Sequence, residues 1–263
     1  MKFLIMTDIE GVTGVTTFPQ AEHSAFGKEM LMHDIKAILQ GMRNVGAEVV
    51  LYDMHTDGRN IDLNEVDCPV VEGKPILSEL WRGVGPSGFD GLCMVGLHAM
   101  QHVPGALLAH SYLREYDAIF LNGRKVGEIG IEAALAGEQG IPLVLVTGDD
   151  MGCAEAERLI PGVTTCAVKK SLGSGEAICY PPSMTGYMLC RAAEKAACTP
   201  VAPLVVDPPY EIRIQYSDCS YLYTMKRLHP EIFEGERTVV MRGDNLLKVW
   251  SQYLTYEKEM TNA

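Results

Sequence analysis

No two cysteines in this chain are spaced C-x-x-C. The eight, at positions 68, 93, 153, 166, 179, 190, 198 and 219, are scattered. That signals neither a zinc-thiolate site nor a thioredoxin-type redox motif, and most of them read as small core residues. Positive charge is also short: 22 Lys and Arg stand against 34 Asp and Glu, a net charge of −12. A nucleic-acid partner would need a basic patch, and an anionic membrane surface would repel such a chain. A cationic ligand, either a metal ion or a free amino group, suits it. No apolar run is long enough to span a membrane. Met1-Lys2 leads straight into an apolar stretch without a signal-peptide pattern. A reducing cytoplasm is the expected location. There is no internal repeat and no low-complexity segment.

What is present fits a globular protein. A chain of 263 residues, 47% hydrophobic and 21% charged, can bury a sizeable core as one or two domains. It is organised around Thr7-Asp8-Ile9-Glu10-Gly11, which ends the apolar run Phe3-Leu4-Ile5-Met6. The run reads as a short buried strand. Residues i and i+2 of an extended chain share a side, so Asp8 and Glu10 face one spot. Gly11 and Gly14 let the chain turn away closely. Two carboxylates where a parallel strand stops point to a divalent cation. Two solvated loop acids, or a cap for the next helix, explain the same residues.

Farther along, Lys28 to Val45 carries a helical apolar stripe and Gly46 stops it. Strands follow at 48–52 and 91–96, ending in Asp53-Met54-His55 and Leu97-His98. A helix between two apolar strands is a βαβ unit and implies parallel pairing. Pro69 to Val71 reads as a short strand and Ser78 to Trp81 as a short helix. Asn122-Gly123 between 117–121 and 124–126 is a hairpin signal. Helices are expected from Gly127 to about Gln139, from Met151 to Ile160 and from Ser183 to Ala197, with strands at 143–147 and 164–168. Prolines at 200, 203, 208 and 209 mark the approach to a smaller unit of strand, helix, strand and helix. The expected fold is α/β, a mainly parallel sheet with helices on both faces plus a smaller C-terminal α+β unit. Residues 1–200 would form a metal-binding catalytic domain. Residues 210–263 would form the smaller unit, with packing onto the first as one body left open.

His55 and His98 follow strands, as Asp8 and Glu10 do, and ligands bind at the carboxyl ends of strands in open parallel sheets. Glu128 stands at a helix start. Two imidazoles and three carboxylates exceed what one tetrahedral ion requires and suit a two-metal site with a bridging carboxylate. Each residue has a plainer reading: a histidine after a strand is often a hydrogen-bonded structural residue, and Glu128 favours a helix N-terminus. Asp149 and Asp150 read as N-caps. His102 and His110 are spare imidazoles, either of which could shuttle protons near neutral pH. A rival class remains open. Asp8-Ile9-Glu10-Gly11 also resembles the first motif of haloacid-dehalogenase-type magnesium phosphatases, with Asp8 as nucleophile and Gly148-Asp149-Asp150 imitating the later acidic motif. That reading needs a lysine at a strand end upstream. Only Lys125 is near, in the hairpin, and His55, His98 and Glu128 are left without work. A non-enzymatic dipeptide-binding protein is a third reading.

Five motifs in order carry a more specific resemblance. They are Asp8-Ile9-Glu10-Gly11-Val12-Thr13-Gly14, Asp53-Met54-His55, Gly96-Leu97-His98-Ala99, Pro104-Gly105 with His110-Ser111, and Val126-Gly127-Glu128-Ile129-Gly130. With them the chain resembles the zinc-dependent D-aminopeptidases of the DppA type, peptidase family M55, most densely from Met1 to about Pro182. The resemblance implies two zinc ions held by Asp8, Glu10, His55, His98 and Glu128, with His110 as the catalytic histidine. It implies removal of the N-terminal residue from a short peptide with a free amino terminus, and a self-compartmentalising ring decamer. The chain departs from the family pattern at Met6, where the family has Ser, and in a segment between His98 and His110 that is one residue longer.

Overall fold

The computed structural model describes residues 1–76 and 88–261; the helix expected at Ser78 to Trp81 lies outside them. The first strand, β1 (Lys2–Thr7), pairs in parallel with β2 (Glu48–Asp53) on one side and with β4 (Gly91–Leu97) on the other. Outside β2 lies the two-residue β3 (Val70–Val71). Outside β4 come β7 (Leu143–Asp149) and β8 (Thr164–Gly173), both parallel, and an antiparallel edge strand β9 (Glu176–Cys179). The order is β3-β2-β1-β4-β7-β8-β9, the mainly parallel sheet expected. Neither β9 nor the short helix α1 (Phe18–His23) was legible in the sequence, because each is too brief to show a period.

The period of two along β1 separates two apolar layers. Phe3 and Ile5 pack with α2 (Ala25–Asn44) and α5 (Pro182–Cys198). Leu4 and Met6 face the other way, toward α3 (Glu128–Glu138) and the last helix, α7 (Leu246–Thr261). The fourth helix, α4 (Asp150–Leu159), runs beside β8. Met6, the departure from the family pattern, is a fully buried member of this second layer. Three of the eight cysteines, Cys93, Cys153 and Cys166, are buried as small core residues; the other five are partly or wholly exposed.

A second sheet, wholly antiparallel, has the order β11-β10-β5-β6. Its strands β10 (Tyr210–Tyr216) and β11 (Thr238–Gly243) flank α6 (Ser220–Leu228) in the chain. The other two, β5 (Tyr116–Leu121) and β6 (Arg124–Val126), are the Asn122-Gly123 hairpin. Both turn residues take positive φ, 47° and 77°, as a two-residue hairpin turn of the favoured twist requires. The C-terminal strands are thus completed by a hairpin from the middle of the chain. Ile119, Leu121, Ile212 and Val239 share one apolar cluster with Leu4 and Met94. A pairing between residues about 90 positions apart leaves no local trace, which is why sequence periodicity shows the hairpin but not its partner.

From β1 the chain winds outward through β2 on one side, and from β4 through β7 and β8 on the other. The crevice between the carboxyl ends of β1 and β4 is therefore the switch point where open α/β sheets bind ligands. Here the loop after β1 lies backbone against backbone on the turn ending β4. Asp8 donates its N–H to the Val95 carbonyl at 2.8 Å, and Gly11 to that of Gly96 at 2.7 Å. A side chain on Gly11 would stand 2.0 Å from the Leu97 oxygen, and one on Gly96, at φ +81°, 2.2 Å from the Asp8 oxygen. Backbone atoms cannot swing aside, so only glycine permits this approach.

Candidate metal centre

Six titratable side chains converge in this crevice. Asp8 and Glu10 follow β1, His55 follows β2, His98 follows β4, Glu128 opens α3, and His110 comes from the loop before β5. None is more than 9% exposed, which removes the reading of Asp8 and Glu10 as solvated loop acids. His55 Nδ1 lies 2.9 Å from Asp8 Oδ1 and 3.0 Å from Glu10 Oε2. His98 Nε2 lies 3.3 Å from Asp8 Oδ2 and 3.4 Å from Glu128 Oε1. His110 Nε2 lies 3.9 Å from the same Glu128 oxygen, and its ring stacks on that of His98 with centroids 4.1 Å apart. Two donor groups result, Asp8 with Glu10 and His98, and His98 with His110 and Glu128, each compact enough to surround one ion.

The imidazoles are aimed by the hydrogen bonds of their far nitrogens. His98 Nδ1 donates to the Ala99 carbonyl at 3.0 Å, and His110 Nδ1 to that of Leu108 at 3.0 Å. Each Nε2 is left pointing into the crevice, the tautomer that suits metal ligation. The His98 Nε2 lone pair then faces two carboxylates with no hydrogen bond to either, and His55 Nε2 is likewise buried without a partner. A lone pair against two anions in a buried site needs a cation between them, and without a metal that cation is a proton. Burial works against charge on His55, but Asp8 and Glu10 push it up to about 11. Glu128 and Asp8 likewise drive His98 well above the usual histidine range against its burial. Burial would raise Asp8, yet His55 and His98 hold it well below the ordinary carboxylate value. Carboxylate and imidazole donors without thiolate suit zinc, manganese, iron or cobalt.

Residues without an assigned role in the sequence, some of them inside the motifs themselves, hold these groups in place. Asp53 accepts the His55 N–H at 3.1 Å and the Asn60 N–H at 2.5 Å, so its carboxylate shapes the turn that carries His55. The Tyr112 N–H donates to Glu128 Oε1 at 2.7 Å. Asp34, fully buried in α2, accepts both the N–H and the hydroxyl of Thr13 at 2.9 and 2.7 Å. Lys169 of β8 is fully buried and donates to the carbonyls of Glu10 at 2.6 Å and Val12 at 2.9 Å, and to that of Val15. Burial lowers its ammonium to about 8. The loop presenting Asp8 and Glu10 is thereby wound around one cation. A lysine in a strand ordinarily reads as solvent-facing, so no sequence signal marked it.

Other candidates stand elsewhere. His102 is exposed, 3.5 Å from Asp117, and does not line the crevice. Asp149 caps α4, accepting the Gly152 N–H at 2.7 Å. Asp150 does not cap: it is the first helical residue and accepts the Ser171 N–H at 2.7 Å, tying α4 to β8. Lys125 Nζ donates to the Gln101 carbonyl and offers the phosphatase reading nothing.

Replacing Lys169 by Met keeps the volume but leaves three buried carbonyls without their donor. Each unpaired group costs about 1–3 kcal/mol. Lys169→Met is therefore expected to lower the melting temperature by roughly 10 °C, followed by circular dichroism. An unchanged melt would show that the lysine does not hold this loop.

The comparisons with known proteins agree with this geometry. The model of peptidase family M55, described as D-aminopeptidase, matches residues 1–254. A curated D-aminopeptidase of Bacillus subtilis (strain 168) is 27% identical over 265 residues, covering 97% of this chain and 96% of that protein. A solved structure described as the Zn-dependent D-aminopeptidase DppA from Bacillus subtilis, a self-compartmentalizing protease, superposes with a TM-score of 0.88. At 24% identity it covers 100% of this chain and 99% of its own. With the family model spanning nearly the whole chain, this protein belongs to the M55 peptidases, the D-aminopeptidase family.

Proposed function

We propose that the chain removes N-terminal D-amino acids from short peptides, with Asp8, Glu10, His55, His98 and Glu128 holding two zinc ions and His110 moving protons. The observation that carries this is the His98 Nε2 lone pair set between two buried carboxylates, shared by two donor groups. Zinc is the metal of the solved relative DppA. When bound, the two ions supply an activated water at neutral pH and polarise the scissile carbonyl. The chain's own residues do the rest. Asp8 and Glu10 compensate positive charge on one side and Glu128 on the other. The buried crevice limits bulk water, which strengthens each electrostatic contact. His110, stacked on His98 with Nε2 turned toward Glu128, carries the proton to the leaving amine. The surrounding carboxylates favour a substrate with a free, protonated amino terminus.

All six residues come from 1–200, which we assign as the catalytic unit, with 210–263 packed on it as one body. No helix among the described residues is long and apolar enough to cross a membrane; the proposed location is the cytoplasm. The description of DppA as self-compartmentalizing supports a homo-oligomer, proposed here as a ring decamer. Light scattering is expected to give a mass near ten chains; a mass of one or two chains would refute the ring.

Elemental analysis after mild purification is expected to find two zinc ions per chain. His110→Ala is expected to keep both while losing about 10²–10⁴-fold in kcat, the usual cost of removing a positioned acid or base. His55→Ala should lose metal and rate together. A second role for His110 has its own support, because its Nε2 is close enough to Glu128 and His98 to bind an ion itself. Zinc lost along with activity in His110→Ala would make it a ligand.

On a panel of D- and L-leading dipeptides, hydrolysis is expected for D-leading peptides with a free amine and not for their acetylated counterparts. Equal rates on blocked and free peptides would overturn the exopeptidase reading, and cleavage of phosphate esters alone would restore the phosphatase.

A further inference from the structure

The cleft over the metal centre, about 290 Å³, is small for a ligand pocket. It is also strongly acidic, lined by Asp8, Glu10, Glu22, Glu115 and Glu128, and among the described lining residues the lysine and arginine are Lys74 and Arg114. That balance suits the amino end of a peptide and opposes its carboxyl end. A short peptide has a free carboxylate only a few ångströms from the bond to be cut, and in this cleft it must be paired or expelled.

We propose that Arg114 receives the C-terminal carboxylate of the substrate, so that the cleft selects peptides of two or three residues by their free acid. This rests on the aminopeptidase reading above. Three observations carry it. First, Arg114 is tied to the reacting centre by a line of rings. Its guanidinium carbon lies 4.7 Å from the Phe18 ring centre, and Phe18 meets the His110 ring edge-on at 5.4 Å. The guanidinium is therefore at most about 10 Å from His110, a span that no more than one or two extended residues at about 3.3–3.6 Å each, with contacts at both ends, can occupy. Second, the segment carrying Arg114 is anchored to the site, since two residues earlier the Tyr112 N–H holds Glu128 at 2.7 Å. Third, the guanidinium is steadied and not consumed. Its ion pair among the described residues is a single 3.4 Å contact from one terminal nitrogen to Glu22 Oε1. A guanidinium has five donors, and two parallel ones match a carboxylate. The planar fork that pairs bidentately with a carboxylate is an arginine property that lysine lacks, which favours Arg114 over Lys74.

The test compares a D-leading dipeptide, D-alanylglycine, as the free acid and as the C-terminal amide. Zinc-loaded wild type, Arg114→Gln, Arg114→Lys and Lys74→Gln are the enzymes. Wild type is expected to favour the acid about 10–100-fold in kcat/KM, chiefly through KM, the range for a charged hydrogen-bonded pair. In Arg114→Gln the ratio of acid to amide should fall toward one, and Arg114→Lys should restore part of it. Calorimetry with a reduced-amide, non-cleavable analogue of the same dipeptide, again as acid and amide, reads the preference without turnover. If wild type cleaves neither peptide but binds the acid analogue through Arg114, the carboxylate site stands and the peptidase reading falls. If Arg114→Gln keeps the acid preference, or Lys74→Gln alone removes it, the proposal is overturned.

Discussion

The crevice between β1 and β4 sets negative carboxylates and imidazole lone pairs against one another out of reach of water. Left to themselves, Asp8 and Glu128 would repel each other across the His98 nitrogen that lies 3.3 and 3.4 Å from them. Their coexistence depends on positive charge at the centre of the group. Protons supply it in the bare chain, which is why the imidazoles are driven up and Asp8 down. Two divalent cations would supply it, and the carboxylate and imidazole donors gathered here are of the types such ions take. The surroundings keep this unfavourable arrangement from relaxing.

That support is mainly backbone. The loop after β1 is threaded against the end of β4 at a distance only Gly11 and Gly96 allow. Three of its carbonyls turn inward onto the buried Lys169, and Thr13 is pinned to Asp34 of α2. Each contact removes a way for Asp8 and Glu10 to separate. The conformational entropy of the loop is lost on folding, so a cation meets a site already shaped. The same economy serves the imidazoles, whose far nitrogens are fixed by the carbonyls of Ala99 and Leu108. Their near nitrogens have one direction to face.

The second sheet bears on the site through its hairpin. The loop that carries His110, Tyr112 and Arg114 leads into β5, and β6 leads into Glu128 at the start of α3. Pairing of β5 with β10 thus fixes one wall of the cleft, while the parallel sheet fixes the floor. Of the three groups that meet Glu128, the His98 and His110 imidazoles at 3.4 and 3.9 Å and the Tyr112 N–H at 2.7 Å, only His98 comes from the end of a parallel strand. The others depend on the hairpin for their position, so the C-terminal strands take part in shaping the site although none of its six residues lies in them.

The sequence by itself determined the parts of the centre that obey a local period. Alternation along Phe3-Leu4-Ile5-Met6 put Asp8 and Glu10 on one side. Apolar strands ending in His55 and His98 put both histidines on the ligand edge, and Asn122-Gly123 marked the turn that leads to Glu128. No local period separates His110 from His102, which lie in one irregular loop; the family resemblance pointed to His110, and the tertiary structure turns His110 inward and leaves His102 exposed. It also decided that Lys169 is a buried clamp and that Asp150 ties two elements instead of capping one. Half of the second sheet came from the middle of the chain for a reason no local pattern records. Periodicity reports which face of an element is apolar. Which distant element covers that face, across 159 residues between Glu10 and Lys169, is settled by packing and by the need of each buried polar group for a partner.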